Sequence, residues 1–330
     1  MKINYSPYRL KPMQSLNAAV PLSERQGVLL AIEWPDGLAG YADLHPWPEL
    51  GDSSWEDQLA GIRSGKISTM MEQSIWMARR DAQARKQDKS LFDGLPLLKN
   101  NYLITDTRLE QPDLIARLKA EGFETIKIKL GHDLKKEAEF VSFLGQDGAF
   151  KLRLDFNSLG TWQTYERFMS SVNKIALARV QYVEDPFPFD EEAWLEAKRF
   201  APLAIDSDLD KIDLKKLKTK PFDTVILKPA KHDVNAILQN CIINDYKVTV
   251  TSYMDHPLGV MHALAVAGEL KKAHPQRILD AGCLTTRLFQ MDTYSAEVVP
   301  SGPYLKRADG KGIGFDALLA REPWSQLKMR

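Results

Sequence analysis

Two lysines stand one residue apart near the end of the run "ETIKIKLG", at Lys127 and Lys129. In an extended strand alternate residues share a face, so both ammonium groups point one way while Ile126 and Ile128 point the other. Such a pair repels itself, and each cation disfavours protonation of the other, which makes Lys129 a usable base near neutral pH. Further along, strand-like runs end in acids: "RLDFN" with Asp155, "YVEDP" with Glu184 and Asp185, "AIDSD" with Asp206 and Asp208. Three acids at three consecutive strand ends are costly without a cation between them, and an all-oxygen set is what Mg2+ prefers. Asp155, Glu184 and Asp206 are therefore the candidate ligands of one divalent metal. The next run, "VILKP", ends in Lys228. The order along the chain is basic, acidic, acidic, acidic, basic. Lysines on opposite sides of a metal could remove or return a proton on either face of a carbanion whose charge the metal holds.

These positions need a scaffold that gathers successive strand ends. From about residue 100 onward, eight β-rich runs recur: "NYLIT", "TIKIKL", "KLRLDFN", "RVQYVED", "PLAIDS", "DTVILKP", "KVTVTSY" and "RILDAG". Between them lie stretches with apolar residues at three- and four-residue spacing, among them "DLKKEAEFVSFL", "TYERFMSSVNKIA" and "GVMHALAVAGEL". Strands alternating with helices imply parallel βα units, and eight of them close a (β/α) barrel, with the chemistry at the carboxyl ends of the strands. The first hundred residues read differently. "GVLLAIEWPDGLAGYADLHP" is a hairpin around "PDG", and "SSWEDQLAGI" and "STMMEQSIWMARRDAQARK" are two amphipathic helices, which together make an α+β lobe. The tail after about residue 296 is rich in Pro and Gly, has no helical period, and is placed to return to that lobe.

With 44 basic and 44 acidic residues the chain has no formal charge, which gives no basis for nucleic acid or an anionic membrane as partner. The start "MKINYSPYRL" has no apolar h-region, and no stretch approaches the roughly 18 apolar residues of a membrane span. The expectation is a soluble cytoplasmic protein. Cys241 and Cys283 are read as buried small hydrophobes, His256 and His262 as structural, and "GKGIG" at Gly310 to Gly314 as a turn. Taken alone, a K-x-K is a solvated strand edge and a strand-end aspartate a helix N-cap, which is the reading given to Asp185 and Asp208. The fixed sign order over five strands sets the other positions apart. Trp47, in "HPWPE", is expected over the barrel mouth.

The chain resembles the enolase superfamily, in the subgroup of muconate lactonising enzymes. The likeness rests on Lys127 and Lys129, Asp155 and Asn157, Glu184 to Pro186, Asp206, and Lys228 with Pro229, and it covers nearly the whole chain. "GYADLHPWPELGDSSWEDQ", with Asp43, Pro46, Pro48 and Trp55, is similar to the capping-domain signature. The resemblance implies a modified TIM barrel, (β/α)7β, over residues 99–296, an α+β capping domain over 1–98, and a tail, 297–330, returning to the cap. Within the subgroup, "TSYMDHPLG", "AGCLTTRLF" and "SERQG" resemble the o-succinylbenzoate synthase family. That implies a Mg2+-dependent hydro-lyase of menaquinone biosynthesis, Mn2+ substituting, acting on a small carboxylate substrate. Lys129 would be the base, with Lys127 and Lys228 as further catalytic groups and Asn157, Ser252, Gly282 and Arg25 contacting substrate. At strand five the family follows its aspartate with Glu-Ser, whereas this chain has Ser207 and Asp208; register assigns the metal to Asp206. N-succinylamino acid racemases and dipeptide epimerases of the superfamily are the alternative, and an idle binding barrel a remoter one. Dipeptide epimerases carry Asp-x-Asp at strand eight, where this chain reads Asp280-Ala281-Gly282. The oligomeric state is open, and a monomer is compatible with the sequence.

Overall fold

The computed structural model describes residues 1–16, 23–109 and 113–328; the last two residues of the expected tail lie outside them. The chain opens with three antiparallel strands, β1 (Lys2–Leu10), β2 (Arg25–Glu33) and β3 (Ala39–Leu44). β2 and β3 form the expected hairpin, with Gly37 in the left-handed conformation that its turn requires. β1 was not legible as a strand because Ser6 and Pro7 interrupt its pattern; it pairs with β2 over its full length, from Lys2 opposite Glu33 to Leu10 opposite Arg25. α1 (Trp55–Arg63) and α2 (Thr69–Lys86) start at Ser54 and Ser68, whose hydroxyls accept from Asp57 and Met71 backbone N–H groups. α2 packs tightly on β3, and Gly40 permits it: a Cβ there would lie 2.1 Å from the Ala78 carbonyl oxygen.

The barrel follows as seven parallel strands: β4 (Tyr102–Ile104), β5 (Thr125–Lys129), β6 (Lys151–Asp155), β7 (Val180–Glu184), β8 (Leu203–Ile205), β9 (Thr224–Leu227) and β10 (Lys247–Val250), hydrogen-bonded in chain order. The eighth stave is the segment Arg277–Gly282. It pairs with β10 through Ile278 and Gly282 and with the β4 side through Ala281 and Asn100, which closes the barrel. The crossovers carry α3 (Leu114–Ala120), α4 (Leu134–Gln146), α5 (Trp162–Ser171), α6 (Lys174–Leu177), α7 (Glu191–Ala197), α8 (Val234–Ile243) and α9 (Pro257–Ala273). The expected single helix around "TYERFMSSVNKIA" is two, because Val172 is extended and Asn173 caps a new turn by accepting from Ala176. Between β8 and β9 the crossover carries a 3-10 turn, Leu209–Lys211, in place of an α-helix.

Strand parity separates two faces. Ile126, Ile128, Leu152, Leu154, Val183, Leu203, Ile205, Val225 and Leu227 are buried outward beneath the helices, leaving the alternate set to fill the barrel. β2 divides likewise: Val28, Leu30 and Ile32 enter the cap core while Leu29 joins the barrel core, so the cap is packed directly on the barrel. The C-terminal tail reaches the cap. Ser325–Gln326 pairs with β1, and Leu327 is buried in the cap core.

Asp81 on α2 joins three parts. Its fully buried carboxylate accepts from Tyr41 N–H at 2.8 Å in β3, from Ile313 N–H at 2.6 Å in the tail, and from Arg85 Nε at 2.7 Å. Asp81→Ala leaves those donors buried and unpaired, so urea denaturation is expected to show a loss of about 3–5 kcal/mol. A loss below about 1 kcal/mol, within the range of an ordinary surface change, would contradict this role.

Candidate active site

The inward set converges at the carboxyl ends of β5 to β9. Lys127 and Lys129 share the inner face of β5, as their spacing implies, and Asp155 and Glu184 are the last residues of β6 and β7. Asp206 and Lys228 directly follow β8 and β9. Lys127, Lys129, Asp155, Asn157, Asp206 and Lys228 border a cavity of about 310 Å3, while Glu184 is buried and is not one of its lining residues.

Opposite charges are paired at hydrogen-bond distance. Lys127 Nζ lies 2.9 Å from Asp155 Oδ2 and donates to Glu184 Oε1 at 2.6 Å and Oε2 at 2.7 Å. Burial opposes the charge on Lys127, but Asp155 and Glu184 outweigh it and hold its pKa well above the usual lysine range. Burial and Asp155 push the Glu184 carboxyl upward against the pull of Lys127. With both carboxylate oxygens on one ammonium, the ionised pair is the state the geometry supports. Lys228 donates to Asp206 Oδ2 at 2.6 Å; burial would raise the Asp206 pKa, and Lys228 overrides it to bring it to about 2. Lys129 differs: among the described residues it lies within hydrogen-bond reach only of Asn157 Oδ1, at 3.5 Å, and burial and then Lys127 depress its pKa despite Asp155.

Loops beyond the strands set these distances. Asp185 accepts from the backbone N–H groups of Asp206 at 2.9 Å and Ser207 at 2.8 Å, tying the end of β7 to the end of β8. Burial and Asp206 push its pKa up to about 7. Asn157 and Asp185 adopt left-handed backbone, φ 50° and 45°, which Asn and Asp tolerate and which turns each chain sharply out of its strand. Asp208 points away, accepting from Phe189 N–H and Lys211, so it is a loop residue and Asp206 is the one at the cavity.

Asn157, Ser252 and Gly282 line the cavity, Ser252 sharing a 2.6 Å hydrogen bond with the Thr285 hydroxyl. Arg25 is not brought there. It begins β2, is buried, pairs with Glu49 Oε2 at 2.8 Å, donates to the Pro46 carbonyl, and stacks on the far side of the wall with its guanidinium carbon 3.7 Å from the Trp47 ring centroid. Of "SERQG", Arg25 to Gly27 are strand. Trp47 does line the cavity, its indole N–H held by the Tyr253 carbonyl at 3.0 Å. Tyr253, Thr285, Lys211, Lys231 and His232 also line it and carried no sequence signal. His232 Nδ1 accepts the Lys228 backbone N–H at 3.0 Å, and burial brings its pKa to about 4, so the ring is neutral. His256 caps α9 and His262 meets the Tyr41 carbonyl, both structural, and both cysteines are buried.

Among the described residues no three acidic, histidine or cysteine side chains form a ready-made metal site, because the Lys127 ammonium lies between Asp155 and Glu184. The donors themselves suit a hard divalent ion: three buried carboxylates, with Asp206 Oδ1 lacking a hydrogen-bond partner among the described residues. No helix among the described residues is long and apolar enough to cross a membrane.

A capped barrel with these charges at its strand ends has the architecture of the enolase superfamily, and comparison with known proteins agrees. The L-Ala-D/L-Glu epimerase of Bacillus subtilis superposes with a TM-score of 0.77 over 95% of this chain and 98% of that one, at 17% identity. A magnesium-complexed enolase-superfamily member from Roseovarius nubinhibens gives 0.75 over 95% and 94%, at 16%. At such identities the likeness establishes the fold. Residues 3–84 match the family model of the o-succinylbenzoate synthase N-terminal domain. The o-succinylbenzoate synthase of Bdellovibrio bacteriovorus is 51% identical over 330 residues, the full length of both chains. The chain belongs to the o-succinylbenzoate synthase family.

The Lys127 contacts yield a direct expectation. Lys127→Met leaves Asp155 and Glu184 facing each other without their counter-charge, and in chelator its unfolding free energy is expected to fall by about 3 kcal/mol. Unchanged stability would show that the ammonium does not balance those acids.

Proposed function

We propose that this cavity removes water from 2-succinyl-6-hydroxy-2,4-cyclohexadiene-1-carboxylate by syn elimination, giving o-succinylbenzoate, a step of menaquinone biosynthesis. The observation that carries the proposal is the unequal condition of the two lysines flanking the acids. Lys228 is closed in an ion pair with Asp206, whereas Lys129 has no carboxylate partner within ion-pair distance among the described residues and is the more easily deprotonated. One base and one fixed cation suit an elimination confined to one face.

Asp155, Glu184 and Asp206 would hold Mg2+, or Mn2+ in its place, with Lys127 the group that gives way. The metal's chemistry is to supply positive charge to the substrate's ring carboxylate as the neighbouring carbon loses its proton. Lys129 takes that proton and, as an ammonium, returns one to the departing hydroxyl on the same face. Lys127 and Lys228 add positive charge around the carboxylate. Aromatisation favours the product, so modest transition-state stabilisation suffices.

Dipeptide epimerisation finds less support here. The Asp280 carboxylate accepts from the Thr125 hydroxyl at 2.6 Å and is not part of the cavity lining, so a substrate ammonium has no carboxylate to meet at that stave. N-succinylamino acid racemisation would need Lys228 as a second base, against its ion pair.

Lys129→Ala is expected to lower turnover by about 10^2 to 10^4-fold and to abolish solvent-deuterium exchange at the α carbon. Persistent exchange in that variant would transfer the role of base to Lys228. For the metal, calorimetric titration with Mg2+ should lose its heat in Asp206→Asn and keep it in Asp208→Asn. The reverse result would overturn the assignment at β8.

A further inference from the structure

The substrate of the proposed reaction is a dianion, and the charges at the strand ends account for one carboxylate only. Between them and solvent the wall is largely apolar, with Trp47, Leu50, Leu103, Tyr253, Met254 and Leu284, and two further lysines, Lys211 and Lys231. These two are not equivalent. Lys211 is 75% exposed and pairs with Asp208 on the same loop, a solvated contact of little consequence. Lys231 is 24% exposed, and its ammonium lies 5.8 Å from the centroid of the Tyr253 ring, which also receives Lys228 at 5.4 Å.

That ring is fixed from both sides. Its hydroxyl donates to Asp52 Oδ2 at 2.9 Å, and its backbone carbonyl holds the Trp47 indole. The loop carrying Lys231 is fixed as well. The N–H groups of Lys231 and His232 both reach the Lys228 carbonyl at 2.9 Å, and His232 accepts the Lys228 N–H in return. Asp210 completes the arrangement, meeting Lys231 Nζ at 2.8 Å with one oxygen and His232 Nε2 at 3.4 Å with the other. An ammonium has three hydrogens to donate, and Asp210 takes one. Lys231 is thus a half-buried, positioned cation with donors to spare, in the same cavity as the reacting centre and on the strand loop next to Ser252.

We propose that Lys231 binds the second carboxylate of the substrate, at the end of the succinyl arm, while the ring carboxylate enters the inner charges. The assignment rests on the proposed reaction and makes Lys231 the residue that selects a succinyl arm over an uncharged acyl arm of equal length. The hydroxyls of Ser252 and Thr285, in the same cavity lining, contribute neutral donors, and the apolar wall holds the ring. Arg25, engaged with Glu49, takes no part.

The test compares wild type with Lys231→Met, which keeps an unbranched apolar stem without the ammonium, and with Lys231→Arg, which keeps the charge. For the succinyl substrate, KM is expected to rise about tenfold or more in Lys231→Met, with kcat within about threefold and most of the loss restored by arginine. For the analogue whose arm ends in methyl, a butanoyl group, wild type and variant should have equal KM. Equal losses for both substrates, or no loss for either, would overturn the proposal, as would a larger selective loss in Lys211→Met. Calorimetry with o-succinylbenzoate and 2-butanoylbenzoate makes the same comparison without turnover. Failure of the wild type to dehydrate the diene would therefore count against the reaction alone, and the binding data would still decide on Lys231.

Discussion

Burying an ion costs several kcal/mol unless an opposite charge is buried with it. This barrel gathers Lys127, Asp155, Glu184, Asp206 and Lys228 at one end, all at least four-fifths shielded, and the pairing of each of the three acids with one of the two flanking lysines is what makes that tolerable. The parallel sheet enforces the meeting: β5 to β9 are neighbours in order, so their last inward residues lie side by side. Lys127 serves two acids at once. Its place at the centre of the acid set is the place for positive charge, whichever cation supplies it.

The cap is part of the same construction. Trp47 and Leu50 complete the cavity wall, and Trp47 and Asp52 both bond Tyr253 of the barrel. Deeper in the interface the Tyr8 hydroxyl donates to Asp43 at 2.6 Å, and the other Asp43 oxygen accepts the His256 N–H at the start of α9. Asp81 binds the returning tail to α2 and β3. The wall of the cavity therefore depends on residues distant in sequence that fold as one packed unit, with Leu29 of the cap in the core of the barrel.

The inner charges were legible because strand parity and βα spacing leave little freedom: an inward residue at a strand end in a closed barrel must face its counterparts. The eighth stave was legible too, in "RILDAG", although it forms isolated bridges without a regular ladder. Nothing local in the sequence reveals that the Arg25 guanidinium meets Glu49 in the turn after β3. Lys231 and His232 gave no signal, since a loop lysine in a chain with 44 basic residues is ordinarily solvated, and what sets Lys231 apart is a ring, Tyr253, in the loop after the neighbouring strand. Arg153 was passed over for a related reason. It sits mid-strand between two leucines, yet lies inside the barrel, held by Gln181, Asn101 and the Asp280 carbonyl, with a bulge opposite Leu152 and Arg153 giving it room.

The central claim is that this set of charges drives elimination of water and that its second lysine is a fixed cation. Dehydration of the cyclohexadiene substrate, followed by ultraviolet absorbance, and racemisation of an N-succinylamino acid, followed by polarimetry, should be measured on one preparation in Mg2+ and in chelator. The account predicts dehydration that requires Mg2+ and far exceeds racemisation. Efficient racemisation with negligible dehydration would contradict it.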